Sequence, residues 1–113
     1  MEWEVLLDEE FAVWLDATPD GLRRKILSHV DLLERFGPNL GRPKVDTVQE
    51  SAYPNMKELR IQYKGKPWRV LFAFDTQRNA ILLVGGNKAA EKRWYADSIR
   101  IADERFRRHL ESL

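Results

Sequence analysis

The chain contains no cysteine. That absence excludes disulfides and thiolate-bound zinc and fits a reducing compartment, so a cytoplasmic location is expected. Histidine is scarce: only His29 and His109 occur, far apart, and the carboxylates never fall into a metal-ligating spacing. No metal site and no cofactor is therefore expected. No apolar run approaches the roughly 20 residues of a membrane-spanning helix. The acidic opening "MEWEVLLDEE" lacks the basic start of a secretory signal. A membrane is thus not an expected partner. There is no glycine-rich phosphate loop, no nucleophile signature, no internal repeat and no low-complexity tract.

What remains is a globular composition. The 113 residues are 43% hydrophobic and 33% charged, which suits one domain over 1–113 with one modest core. Net charge is +1, yet the charges are unevenly placed. Residues 1–35 carry 9 acidic and 4 basic side chains, whereas residues 57–93 carry 9 basic and 3 acidic. A basic half of this kind can present a polyanion-binding face. An acidic half that merely solvates its own helices gives the same totals.

Periodicity orders the elements. "WEVLL" alternates Trp3, Val5 and Leu7 and reads as a short strand. Phe11, Trp14 and Leu15 follow at helical spacing; Thr18 suits a cap and Pro19 a first helical turn. Leu22, Ile26, Val30 and Leu33 mark a second helix that Gly37-Pro38 stops. These two predict a helical hairpin. Residues 38–55 hold three prolines and no clear period, and read as a long loop. "MKELRIQY", "PWRVLFAFD" and "AILLVGG" are three strands joined by the turns "KGKP" and "DTQRN", an antiparallel meander whose third member is apolar on both faces. A final helix is predicted from about Ala89, with Tyr95, Ile99, Ala102, Phe106 and Leu110 as its apolar stripe. The expected fold is α+β, ordered β-α-α-β-β-β-α. It has a small antiparallel sheet of about four strands, an N-terminal helical hairpin and a C-terminal helix, with the helices on the sheet's apolar side.

Strand geometry gathers cations. With the first hairpin turning through Gly65-Lys66, Gln62 faces Arg69 and Arg60 faces Leu71. Arg60 and Arg69 then share one sheet face on the diagonal, within reach of one phosphate. Two such arginines repel unless an anion visits. Glu58, on the same face, is the alternative partner for Arg60. The stretch "GGNKAAEKRWY" adds Lys88, Lys92 and Arg93 at the end of the last strand. Gly85-Gly86 there permits a close approach by a ligand or a tight exit from the sheet. A following helix start offers free N–H groups to an anion. Tyr95 offers a ring and a hydroxyl, and Trp94 reads as core.

"MKELRIQYKGKPWRVLFAFD" followed by "AILLVGGNKAAEKRWY" resembles the RelE/HigB group of bacterial type II toxins, and most of all its phage-derived HigB-like branch. The likeness spans nearly the whole chain, including the element order and the helix with "IADERF". It implies a toxin that is a metal-independent endoribonuclease, cleaving mRNA on the ribosome. It also implies a cognate helix-turn-helix antitoxin, with operator DNA reached only through that antitoxin. By the resemblance, Arg60 and Arg69 clamp the phosphate, Lys88 and Arg93 assist, and Tyr95 stacks or shuttles a proton; neighbouring cations would lower the pKa of Lys88 or Tyr95. Lys57, Lys64, Lys66 and Lys92 would grip RNA. Two positions depart from the pattern: Gln62 stands where RelE-type enzymes often carry a second basic residue, and Glu91 where they often carry arginine. ParE-like relatives that poison gyrase and an inactive RNA- or protein-binding relative are the alternatives the same likeness allows.

Overall fold

The computed structural model describes residues 2–113. In chain order it contains β1 (Glu4–Leu7), α1 (Glu9–Asp16), α2 (Asp20–Phe36), a 3-10 turn (Gly37–Asn39), β2 (Val45–Thr47), β3 (Met56–Tyr63), β4 (Lys66–Phe74), β5 (Asn79–Asn87) and α3 (Trp94–Glu111). The five strands form one sheet in the order β1-β5-β4-β3-β2. The expected meander β3-β4-β5 is antiparallel throughout. The fifth strand comes from the segment read as loop: Val45–Thr47 pairs antiparallel with β3 at the sheet edge. Its three residues are too few to show a period among the prolines around them. β1 joins the other edge in parallel with β5, so the sheet is mixed. That edge position leaves Leu6 and Leu7 partly in solvent, at 37% and 41%.

Helices cover both faces of the sheet, not one. On the first face, Leu22, Ile26 and Leu33 of α2 and Phe11 and Leu15 of α1 pack on Leu59, Ile61, Val70 and Phe72. On the second, Ile99, Ala102 and Phe106 of α3 pack on Met56, Leu71, Ala73, Ile81 and Leu83. The strand alternation had placed Leu71 and Ala73 opposite Val70 and Phe72. Their burial under α3 is what turns the sheet into the middle of three layers.

Local chemistry explains the boundaries. The Asp8 carboxylate caps α1 by accepting from the N–H groups of Glu10 and Phe11, at 3.0 and 3.2 Å. Thr18 does not cap α2; its hydroxyl donates to the Leu15 carbonyl at the end of α1, and Pro19 holds the N-cap position. The β3–β4 loop has two residues, Lys64 and Gly65, at φ 50° and 73°. Both values are positive, as the hairpin turn that matches strand twist requires, and glycine makes the second inexpensive. The turn therefore lies one residue earlier than Gly65-Lys66. At the next hairpin Asp75 accepts from the N–H groups of Gln77 and Asn79, each within 2.9 Å.

Gly85 and Gly86 sit inside β5, and each faces a tryptophan. A methyl group on Gly85 would strike the ring of Trp14, and one on Gly86 the indole of Trp94. The pair is thus a close-approach device, one glycine for each face of the sheet. Gly86→Ala is expected to cost about 1–3 kcal/mol by overpacking, read as a lower urea midpoint.

Asp75 also carries a pH prediction. Its side chain is fully buried and accepts from His109 Nε2 at 2.8 Å and Asn79 Nδ2 at 2.9 Å. Burial works against ionisation, but these bonds and the two turn N–H groups outweigh it and hold the carboxyl below its ordinary value. A folded pKa below the unfolded one of about 3.9 contributes stability above that pH and loses it as pH falls through the folded value. Asp75→Asn should therefore destabilise at pH 6 by about 1–3 kcal/mol. The gap should narrow at pH 3, as compared by urea titrations at both pH values.

Candidate active site

Arg60 and Arg69 lie directly opposite one another across β3 and β4. Moving the turn by one residue shifts the partner of Arg60 by two, from Leu71 to Arg69, which keeps the face and shortens the separation. The face is the one α3 covers. Both arginines converge on Glu58, a buried carboxylate at 4% exposure. Arg60 Nε donates to Glu58 Oε2 at 3.0 Å, and Arg69 Nε lies 3.9 Å from Oε1. Tyr95 donates its hydroxyl to the same Oε1 at 2.6 Å. Asp46 on β2 accepts from Arg60 Nη2 at 3.1 Å and pairs with Arg42 at 3.3 Å. The ion pair with Glu58, the alternative to a visiting anion, is thus formed. One arginine nevertheless stays incompletely satisfied. Arg69 is 8% exposed, its Nη1 donates to the Trp68 carbonyl at 3.0 Å, and its buried Nε has no hydrogen-bond partner among the described residues.

The remaining expected residues divide. Lys88 is held by its own N–H to the Pro67 carbonyl at 3.1 Å, and its ammonium lies 5.9 Å from the centre of the Tyr95 ring. Lys88 thus joins the cluster through Tyr95. Arg93 does not: its side chain is 72% exposed and pairs with Asp97 at 3.8 Å. The helix that was expected from Ala89 begins at Trp94. Asn87 accounts for the delay, since its side chain accepts from the Ala89 N–H at 2.9 Å and its carbonyl from Ala90 at 3.0 Å, making a turn in place of a helical one. Lys92 is exposed in the next turn, which the Trp94 N–H closes on the Glu91 carbonyl at 3.2 Å. Lys64 and Lys66 stand at the β3–β4 hairpin tip. Lys57 occupies the other sheet face, opposite Phe72, with its ammonium 3.2 Å from the Thr47 hydroxyl. The four lysines therefore do not share one surface. Trp94 packs with the α3 core, 5.1 Å from Tyr95, as its core reading required.

Tyr95 departs from the expected electrostatics. Burial first, and then the bond to Glu58, raise its pKa above the ordinary tyrosine value, against a smaller opposing pull from Arg69. The phenol is a neutral donor here, not an activated phenolate. The Glu58 hydrogen bond likewise raises the pKa of Arg60, which stays charged. Glu58, Asp46 and Arg42 are the members that sequence reasoning left out of the site. Glu58 was visible from strand alternation beside Arg60; the other two come from the segment read as loop.

Outside this cluster, His29 is buried on α2 with Nδ1 2.8 Å from the Lys25 carbonyl, and burial lowers its pKa. Among the described residues no group of three or more His, Asp or Glu side chains is placed to hold a metal ion, and no helix is long and apolar enough to cross a membrane.

Solved structures share this architecture. The free form of an E. coli RelE toxin carrying two arginine-to-alanine changes superposes with a TM-score of 0.62 at 10% identity, over 88% of this chain and 95% of that one. The RelE–RelB complex of Pyrococcus horikoshii gives 0.57 at 17% identity, over 80% and 100%. The fold is therefore that of the RelE-like toxins. In sequence, a Mycobacterium tuberculosis protein named as toxin HigB3 is 47% identical over 109 residues, 96% of this chain and 94% of that one. A second from the same organism, named as toxin HigB2, is 43% identical over 104 residues, 90% of this chain and 52% of its own length. The family described as "Phage derived protein Gp49-like" matches residues 13–107, and the chain belongs to it, a HigB/RelE-like toxin of a type II toxin–antitoxin system.

Proposed function

We propose that the chain is an endoribonuclease that cleaves mRNA on the translating ribosome, in the cytoplasm, by attack of a 2′-hydroxyl on the adjacent phosphate. The observation that carries this reading is the meeting of Arg60, Arg69 and Tyr95 on one buried carboxylate. Arg69 stabilises charge developing on the phosphate oxygens, its buried Nε–H having no hydrogen-bond partner among the described residues. Arg60 completes the clamp, and Lys88 adds positive charge beside Tyr95. Glu58 accepts the 2′-hydroxyl proton as the O–P bond forms, and Tyr95 gives its proton to the departing 5′-oxygen. The 2.6 Å bond between them then returns the proton from Glu58 to Tyr95, leaving a cyclic phosphate and a 5′-hydroxyl with the protein unchanged. No step of this scheme calls on a metal ion or cofactor. Lys64, Lys66 and Lys92 serve as phosphate contacts to ribosomal RNA, a salt-sensitive contribution, and Lys57 and Arg93 are peripheral to them. The antitoxin partner is a helix-turn-helix protein, through which operator DNA is reached.

A second reading draws on the same ion pairs. Glu58 and Asp46 already neutralise Arg60, as in a binding module that does not cleave. Primer extension on cellular mRNA after induction separates the readings. Cuts within translated messages support the nuclease. DNA damage without cuts supports a gyrase poison, and neither event supports the binding module.

A further inference from the structure

Beside the cluster lies an open cleft of about 450 Å³, lined on its inner side by Glu58, Arg60 and Tyr95 and on its outer side by the segment 46–50 and Ile99. That volume accommodates a single nucleotide. Its apolar parts are Val48 and Ile99, at 7% and 8% exposure. Its charges are two guanidiniums, Arg42 and Arg60, against three carboxylates, Asp46, Glu50 and Glu58. Asp46 and Glu58 are committed to those guanidiniums. Glu50 and Gln49 are exposed and have no side-chain partner among the described residues. The outer wall is also fixed in advance. Asp103 of α3 accepts from the Ser51 hydroxyl at 2.5 Å and the Ala52 N–H at 2.9 Å, and Val48 N–H donates to the Met56 carbonyl at 3.0 Å. The surplus Glu50 carboxylate disfavours a phosphate at the outer end of the cleft, away from Arg60, whereas apolar walls with a free acceptor suit a nucleobase there.

We infer that the cleft formed by Val48, Ile99, Gln49 and Glu50 is a base-reading subsite for a nucleotide flanking the scissile phosphate, and that it favours bases bearing an exocyclic amine over uracil. Adenine, cytosine and guanine each carry such an amine, which donates to a carboxylate or amide oxygen. Uracil carries an oxygen at the 4-position in place of cytosine's amine, which meets the Glu50 carboxylate acceptor to acceptor, and its one donor on that edge, N3–H, is flanked on both sides by carbonyl oxygens that a carboxylate repels. The inference rests on the ribonuclease reading for the word "scissile", and its binding test does not.

The test uses the full chain, labelled for NMR, with tri-cytidylate and tri-uridylate whose 2′-oxygens are methylated and so cannot attack. Homopolymers remove any question of register, and cytosine differs from uracil at the 4-position amine. The expected result is amide shifts at Gln49, Glu50 and Ile99 and about tenfold tighter binding of the cytosine trimer. The ratio should fall towards one in the double variant Gln49→Ala/Glu50→Ala, whose exposed positions leave the remaining spectrum intact. Equal binding of the two trimers by the unaltered chain overturns the inference. So do shifts confined to other surfaces, or shifts at these residues produced by the antitoxin and by neither trimer. If the cytosine preference holds while translated messages stay uncut, the subsite stands and the nuclease reading falls. If messages are cut and the ratio is one, the reverse is true.

Discussion

Arg69→Ala is expected to lower mRNA cleavage by about 10²–10³-fold, the usual loss when one donor to a developing oxyanion is removed. Growth arrest on induction should disappear with it. The size of the effect follows from placement. Arg69 is buried, it faces Arg60 directly, and its buried Nε has no hydrogen-bond partner among the described residues. A buried donor with nothing to bond is costly in the resting protein, and a phosphate oxygen would relieve that cost in the reaction. Arg69→Lys should recover only part of the activity, since a point charge replaces a planar fork. Circular dichroism guards against loss of fold. Undiminished cleavage by a folded Arg69→Ala protein would falsify the proposed centre.

Glu58→Ala should be the most destabilising change in the site, by about 2–4 kcal/mol. The carboxylate is 6% exposed in its side chain and holds two guanidiniums and a phenol. Its removal leaves Arg69 buried beside a like charge. Arg60 is 37% exposed and can turn towards water, which brings the cost below that of a fully enclosed pair. Urea unfolding measures this, with the exposed Glu104→Ala as the comparison, expected to move the urea midpoint far less because solvent screens its pairs. Added sulfate should stabilise Glu58→Ala more than the parent, because an anion can take the vacated place between the arginines. Equal sulfate effects on both proteins would show that the arginines do not form one anion-binding unit. The same variant removes the proposed proton acceptor, so cleavage should fall even where sulfate restores the fold.

Where sequence reasoning fell short, the reasons are particular. Alternation in β3 and β4 put Arg60, Arg69 and Glu58 on one face because a strand has period 2 wherever it pairs. The exact partner depended on a turn whose first residue is Lys64 at positive φ, a conformation that its side chain does not advertise. Asp46 and Arg42 were hidden because three residues of β2 leave no pattern; pairing with β3 makes them a strand and carries Asp46 to Arg60. Arg93 and Lys92 were adjacent in sequence to the right residues, but the turn at Asn87 delays α3 and directs them to solvent. Gly85-Gly86 looked like room for a ligand and proved to be room for Trp14 and Trp94.

The amino-acid sequence by itself determined the element order, the apolar stripes of α2 and α3 and the shared face of the two arginines. These depend on local spacing, which hydrophobic burial converts directly into geometry. Tertiary structure decided what those arginines meet. Tyr95 and Asp46 reach the cluster from α3 and β2 and join the Glu58 that alternation had set beside Arg60, and partners brought from distant elements into a low-dielectric interior are chosen by distances of a few ångströms that no spacing along the chain encodes. The same packing raised the pKa of Tyr95 where neighbouring cations alone would have lowered it, because burial under α3 outweighed them.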